Sequence, residues 1–259
     1  MPEPTSYRPG ALCWADLNAP EPAAAEEFYA AVLGWEYVHA GPAFDHYTYA
    51  TARRQMVAGI APGEQGSGSW IVSFATDDAD ATAGRITGAG GRIADGPRDF
   101  GVQGRSLLAI DTAGAHVGFW QPRAHMGAGL LGEPAALCWA ELAVHDGESA
   151  DRFYESVLGF RAAEHAEAAT PGYAAFRLSD GRDDTAVAGR TLLRPDQPGV
   201  DPFWMPYFGV TDTGKAATTA AGEGGSVLHR STDAIGRGLA VVADPWGATF
   251  AVLELPSRA

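Results

Sequence analysis

Ala11 to Trp35, ALCWADLNAPEPAAAEEFYAAVLGW, and Ala136 to Phe160, ALCWAELAVHDGESADRFYESVLGF, match without gaps at 12 of 25 positions and stand 125 residues apart. So many identities at one spacing mark an internal duplication, each copy being a supersecondary unit that the other repeats. Apolar alternation over Leu12 to Leu17 and Leu137 to Leu142 predicts a strand at the head of each copy. Behind it, apolar residues at helical spacing predict an amphipathic helix: Ala25, Phe28, Tyr29 and Val32 in one copy, Ala150, Phe153, Tyr154 and Val157 in the other. Gly34 and Gly159 stop those helices.

Working outward, strand-rich pieces follow at Phe44 to Thr51 and Val57 to Ala61, and again at Tyr173 to Leu178 and Thr185 to Leu192. The order then recurs inside each copy. Trp70 to Thr76 and Trp204 to Val210 predict strands, Ala-rich helices follow them, and Gly90-Gly91 and Gly224-Gly225 end those helices. Leu107 to Asp111 and Val117 to Gln121, matched by Leu239 to Ala243 and Thr249 to Glu254, close the two copies. The expectation is an α+β chain of four βαβββ modules in two tandem domains, residues 8–122 and 135–256. Residues 123–134, RAHMGAGLLGEP, are the expected linker. Asp183-Asp184, in an insertion, and Pro206, within a strand, set the second copy apart and suggest that a single cleft is competent.

The composition, 46% hydrophobic and 19% charged in 259 residues, is that of a globular chain. A formal net charge of -14 argues against a nucleic-acid partner, which needs clustered Lys and Arg. The N-terminus MPEPTSYRPG has no basic-then-apolar signal pattern, and no run approaches the ~20 apolar residues of a membrane span, so a cytoplasmic protein without membrane contact is expected. The two cysteines, Cys13 and Cys138, occupy equivalent positions, and read as small buried thiols. Dinucleotide and phosphate loops, the G-x-S-x-G elbow, H-E-x-x-H and C-x-x-C are all absent, and no cofactor is expected. Gly63 to Ser69 reads as a loop over the cleft or a plain module connection.

The L-x-W-x-[DE]-L strand, the A-x-x-F-Y-x-x-V-L-G-[WF] helix and the closing turn Asp244 to Ala248, with Asp111 to Ala115 as its first-copy form, resemble the vicinal oxygen chelate superfamily. That group includes glyoxalase I, bleomycin-resistance proteins and extradiol dioxygenases. The chain looks most like tandem actinobacterial members, including those encoded with aromatic polyketide pathways. The resemblance implies ligand positions for a divalent metal at Trp14 and Trp139, near Ile71 and Met205, and at Gly118 and Ala251. None of these side chains is a metal donor. The expectation is therefore no metal of the family type.

The family geometry implies a concave face lined in copy one by Trp14, Asp16, Ile71, Ser73, His116 and Trp120. In copy two the lining is Trp139, Glu141, Met205, Tyr207, Thr249 and Leu253. Such a cleft suits a flat hydrophobic guest stacked on indole rings; the alternative is that these Trp residues merely fill the sheet core. Asp16 and Glu141, carboxylates between apolar neighbours, are candidates for a general base or a hydrogen-bond anchor, against a salt bridge to Arg or a place at a wet rim. His116 and His46 are candidate proton partners, His46 having the alternative of a surface or structural role.

Two functions follow as expectations. One is sequestration or pathway handling of a small aromatic, polycyclic metabolite by a metal-independent binding protein. The other is a metal-independent enzyme, a lyase, isomerase or hydroxylase-type tailoring activity, with Asp16 or Glu141 as base. An accessory partner of an oxygenase is a third. The chain is expected to act as a monomer built like a fused dimer, with a homodimer as the alternative.

Overall fold

The computed structural model describes residues 6–64, 66–164, 172–179, 184–194, 199–233 and 235–256; Asp183 lies outside them. The first module is β1 (Leu12–Ala19), α1 (Pro22–Leu33), β2 (Glu36–His39), β3 (Thr48–Ala52) and β4 (Gln55–Pro62). The second is β5 (Ser69–Ala75), α2 (Ala79–Gly88), β6 (Arg92–Asp99), β7 (Gly104–Ile110) and β8 (His116–Pro122). The third is β9 (Leu137–Val144), α3 (Gly147–Leu158), β10 (Arg161–Glu164), β11 (Ala174–Ser179) and β12 (Asp184–Leu192). The fourth is β13 (Phe203–Val210), α4 (Thr213–Gly222), β14 (Ser226–Thr232), β15 (Gly238–Ala243) and β16 (Thr249–Glu254).

Each pair of modules makes one eight-stranded sheet, ordered β2-β3-β4-β1-β5-β8-β7-β6 and β10-β11-β12-β9-β13-β16-β15-β14. The leading strands β1 and β5 run antiparallel at the centre, and each pairs in parallel with the last strand of its own module. A helix between the parallel strands supplies the crossover such pairing needs. The sheet edges β2, β6, β10 and β14 are mostly exposed and lack apolar alternation, which is why the pattern of the sequence does not reveal them. Both α1 and α3 end where Gly34 and Gly159 take left-handed backbone, φ 75 and 72.

Alternate residues of the central strands, Ala15, Leu17, Trp70, Val72 and Phe74, point into a single core shared with Leu142, Trp204, Phe208, Phe250 and Val252 of the second sheet. Rings interlock across the seam: Phe74 lies 5.1 Å from Trp204 and Trp70 5.1 Å from Phe208. Helix α1 packs on α4 and α2 on α3, flanking this contact.

The repeated motifs meet reciprocally at the seam. The Tyr29 hydroxyl of α1 donates to Asp244 Oδ2 in the far closing turn (3.1 Å) and accepts from Trp70 Nε1 (3.0 Å). Tyr154 of α3 donates to Asp111 Oδ2 (2.8 Å) and accepts from Trp204 Nε1 (2.6 Å). The remaining oxygen of each Asp receives backbone N–H groups of its own turn.

Residues 123–134 are fastened along the first sheet. Ala128 N donates to Cys13 O (2.8 Å), Gly129 N to Met56 O (2.8 Å) and the Tyr7 hydroxyl to Ala128 O, while Arg53 pairs with Glu133. Gly68, in the glycine-serine stretch after β4, donates its N–H to Trp246 O, so its neighbour is the second copy's closing turn. No helix of the described residues is long and apolar enough to cross a membrane.

Candidate functional site

With their inner faces sealed together, the sheets turn their other faces outward, and the first encloses a cleft of about 810 Å³. A register shift between Leu12 and Trp14 in β1 sets the alternation that turns Trp14 and Asp16 into this cleft. Ile71 and Ser73 of β5 and Gly118 and Trp120 of β8 complete the floor. Phe44 and Asp45 form one rim, and the β6–β7 hairpin, with Arg98, Phe100 and Gln103, forms the other.

Three polar groups are joined at the floor. Trp14 Nε1 donates to Asp16 Oδ1 (3.0 Å) and to the Tyr47 hydroxyl (3.1 Å), and Tyr47 donates to the same Asp16 oxygen (2.5 Å). Burial pushes the Asp16 carboxyl above the usual range, and the hydrogen bonds from Tyr47 and Trp14 offset part of that push. The close approach depends on Gly59, where a Cβ would stand 1.7 Å from the Tyr47 oxygen and 2.3 Å from Asp16 Oδ1. His125, from the segment joining the copies, stands edge-on to Trp14 (4.7 Å between ring centres). Burial pushes its imidazole down to about 4, so it is neutral at physiological pH.

Copy two repeats the polar cluster with bulkier side chains packed around it. Tyr173 bonds with Trp139, and Tyr207 donates to Glu141 Oε2 (3.1 Å). Met205, Tyr207, Ala251 and Leu253 are buried against one another and against Trp139. The cause lies in the register: Ser73 beside Gly118 in copy one corresponds to Tyr207 beside Ala251 in copy two. Burial pushes the Glu141 carboxyl up to about 7. A carboxyl raised in the folded state holds its proton where the unfolded chain has lost it, so stability falls as pH rises from about 4.5 to 7 and is level above. Glu141→Gln is expected to abolish that slope and to stabilise the protein by about 2 kcal/mol at alkaline pH, below the full linkage value because Glu141 keeps some solvent contact. Urea denaturation across this range checks it, and an unchanged slope refutes it.

The structure brings Trp14, Asp16, Ile71, Ser73 and Trp120 together in the copy-one cleft, and gathers Trp139, Met205, Tyr207 and Leu253 with Glu141 in copy two. It corrects the placement of the two histidines. His46 lies in an exposed turn with φ 59, because Pro42–Phe44 form a 3-10 turn and β3 starts only at Thr48. His116 begins β8 at the closing turn, exposed and outside the cleft lining. Thr249 is its counterpart, and its hydroxyl bonds Gly247 O (3.4 Å). Tyr47, Tyr49 and His125 line the cleft without having been singled out in the sequence. Cys13 and Cys138 are free, and burial pushes both thiols up, Cys138 to about 12, away from nucleophilic use.

The model of the Glyoxalase/Bleomycin resistance protein/Dioxygenase superfamily matches residues 136–252, and that of the Glyoxalase-like domain matches residues 14–119. "Putative glyoxylase CFP32" of Mycobacterium bovis is 35% identical over 265 residues, covering 98% of each chain. The chain belongs to the glyoxalase/bleomycin resistance protein/dioxygenase superfamily. Within the superfamily it is also similar to "Anthracycline biosynthesis protein DnrV" of Streptomyces peucetius, 34% identical over 97% of this chain and 95% of that protein. A solved structure, the Mn(II)-bound glyoxalase from Novosphingobium aromaticivorans, shares the fold with a TM-score of 0.67 and 14% identity, over 95% of this chain and 82% of that one.

Metal use in the superfamily makes the donor set the deciding test, and the donors here do not fit. The floor offers Trp14, Ile71 and Gly118 where the resemblance implies metal ligands, and none has an atom that binds a divalent cation. Among the described residues no three His, Cys, Asp or Glu side chains gather as a metal site.

Proposed function

We propose that this protein binds a planar, largely hydrophobic aromatic metabolite in the copy-one cleft without a metal, serving its sequestration or its passage through a secondary-metabolic pathway. The observation that carries this reading is the continuous aromatic lining of the cleft. Tyr47, Tyr49, Trp14, His125, Trp120 and Phe100 follow one another with ring centres 4.7 to 6.4 Å apart. Rings so arranged give a flat guest stacking faces, and the Asp16–Tyr47–Trp14 group orients it. The volume lies in the range of small-molecule sites. Similarity to a protein named for anthracycline biosynthesis supports a polycyclic guest. Titration with polycyclic aromatic ketones and quinones is expected to quench tryptophan emission at micromolar concentration, and Trp14→Phe to remove most of the quenching. Failure of every such compound to quench would defeat the reading.

A second reading makes Asp16 a general base on an acidic O–H or C–H of the same guest, with neutral His125 as proton partner in place of His116 or His46. It is favoured by Asp16 Oδ2, which accepts no hydrogen bond among the described residues. Turnover that survives a chelator and is lost in Asp16→Asn supports it; turnover unchanged in that variant removes Asp16 from the chemistry.

A further inference from the structure

Asp16 sits in the cleft with no counterion among the described residues. Its Oδ1 is held by Trp14 and Tyr47, and no Lys or Arg ion pair reaches it among the described residues. An enclosed carboxylate in this state is costly, and a cation brought by a guest would relieve it. Around it stand the faces and edges of Trp14, Tyr47 and Tyr49, whose π systems attract positive charge. At the mouth stand Asp45, Asp95 and Asp99, of which Asp99 is paired with Arg105 (3.3 Å) and Arg123 (2.7 Å). Arg98, the one Lys or Arg among the described lining residues, is tied to Asp95 (3.0 Å) and lies over the Phe100 ring at 4.7 Å. The protein's own guanidinium thus already rests on an aromatic face at the entrance. A chain carrying a net charge of -14 also draws cations and repels anions at long range.

We propose that the guest carries a cationic nitrogen, an ammonium or amidinium on its planar aromatic body, and that Asp16 receives it as counterion inside the aromatic wall of the cleft. This rests on the aromatic-ligand reading above and narrows its ligand class. Charge, not shape, then separates the guest from neutral polycycles of equal size. An anionic analogue meets the Asp16 carboxylate, which has no ion pair among the described residues, and is rejected.

The test uses the full chain and three tricyclic probes of nearly equal shape in isothermal titration calorimetry near neutral pH: 9-aminoacridine as cation, acridone as neutral probe, and anthracene-9-carboxylate as anion. The cation is expected to bind roughly tenfold or more tightly than acridone, with the anion weakest, and added salt to erode the difference. Asp16→Asn is expected to bring the cation-to-neutral ratio to about one, and Asp16→Glu to retain a preference for the cation. Acridone binding as tightly as aminoacridine overturns this inference and leaves the aromatic-cleft reading standing. Absence of binding by all three overturns both. A cation preference that survives in folded Asp16→Asn also overturns the inference, since a group other than Asp16 would then be its source. Should the Asn variant fail to fold, the ranking of the three probes on the native protein and its salt dependence decide the matter.

Discussion

Asp111→Ala is expected to lower the free energy of unfolding by about 3–5 kcal/mol, with the whole chain melting in one transition. Asp111 is buried, and its Oδ1 accepts the N–H groups of Ala113, Gly114 and Ala115, each at 2.9 Å. Its Oδ2 accepts from Tyr154, a fully buried residue of the other half that in turn accepts from Trp204 Nε1. Alanine leaves several enclosed donors without partners, and each costs about 1–3 kcal/mol where water cannot replace the carboxylate. The losses are not additive, because the turn can relax toward solvent. Tyr154→Phe should cost less, about 1–2 kcal/mol, since Asp111 would still hold its own turn together. Equilibrium urea unfolding followed by tryptophan fluorescence and far-ultraviolet circular dichroism measures both. The single transition follows from the shared core, in which Phe74 and Trp70 of one half lie among Trp204 and Phe208 of the other. Two separated transitions, or a loss below about 1 kcal/mol, would contradict this account of the seam.

The same residues mark how far the sequence could be followed. Phe28-Tyr29, Phe153-Tyr154 and the closing turns at Asp111 and Asp244 stand out because they repeat, and their elements form where the pattern places them. Repetition does not say whether a unit packs on its own copy or on the other. Tyr29 and Tyr154 look like ordinary core residues until the structure carries each to the opposite turn. Strand alternation puts Trp14 and Asp16 on one face and the family resemblance adds Ser73 and Trp120; all four line the cleft, since a period of two survives wherever one face is buried. It failed for His116, which shares that face but stands at the strand's first residue, beyond the cleft. Tyr47 had a readable signal: Tyr173 repeats it 126 residues on, one position off the 125-residue frame of the helices. Gly59 and Gly189 both face the hydroxyl of that tyrosine. His125 had none, because it lies in a segment without periodicity and is held at the cleft by backbone bonds to β1, β4 and the β6–β7 hairpin and by the Trp120 Nε1 bond to its carbonyl (2.8 Å).

The contrast between the copies yields the prediction with the largest effect on binding. Ser73→Tyr is expected to weaken guest binding at least ~100-fold, about 2.7 kcal/mol, by giving copy one the bulkier side chain that copy two holds at the same register. The register makes the substitution equivalent to an existing arrangement. Ser73 pairs with Trp14 and with Gly118 as Tyr207 pairs with Trp139 and with Ala251. In copy two the Tyr207 hydroxyl reaches Glu141 at 3.1 Å, and a tyrosine at 73 has Asp16 as the corresponding acceptor. The new ring would enter open cleft rather than packed core, so the fold should hold to within about 1 kcal/mol. The reverse change, Tyr207→Ser, removes a buried ring and the partner of Glu141, and should cost about 2–4 kcal/mol. The fluorescence titration of the native protein, repeated on Ser73→Tyr with its fold verified by circular dichroism, measures the effect. Undiminished affinity would place the guest outside this cleft, and the bulk at position 207 would then have no bearing on which half binds.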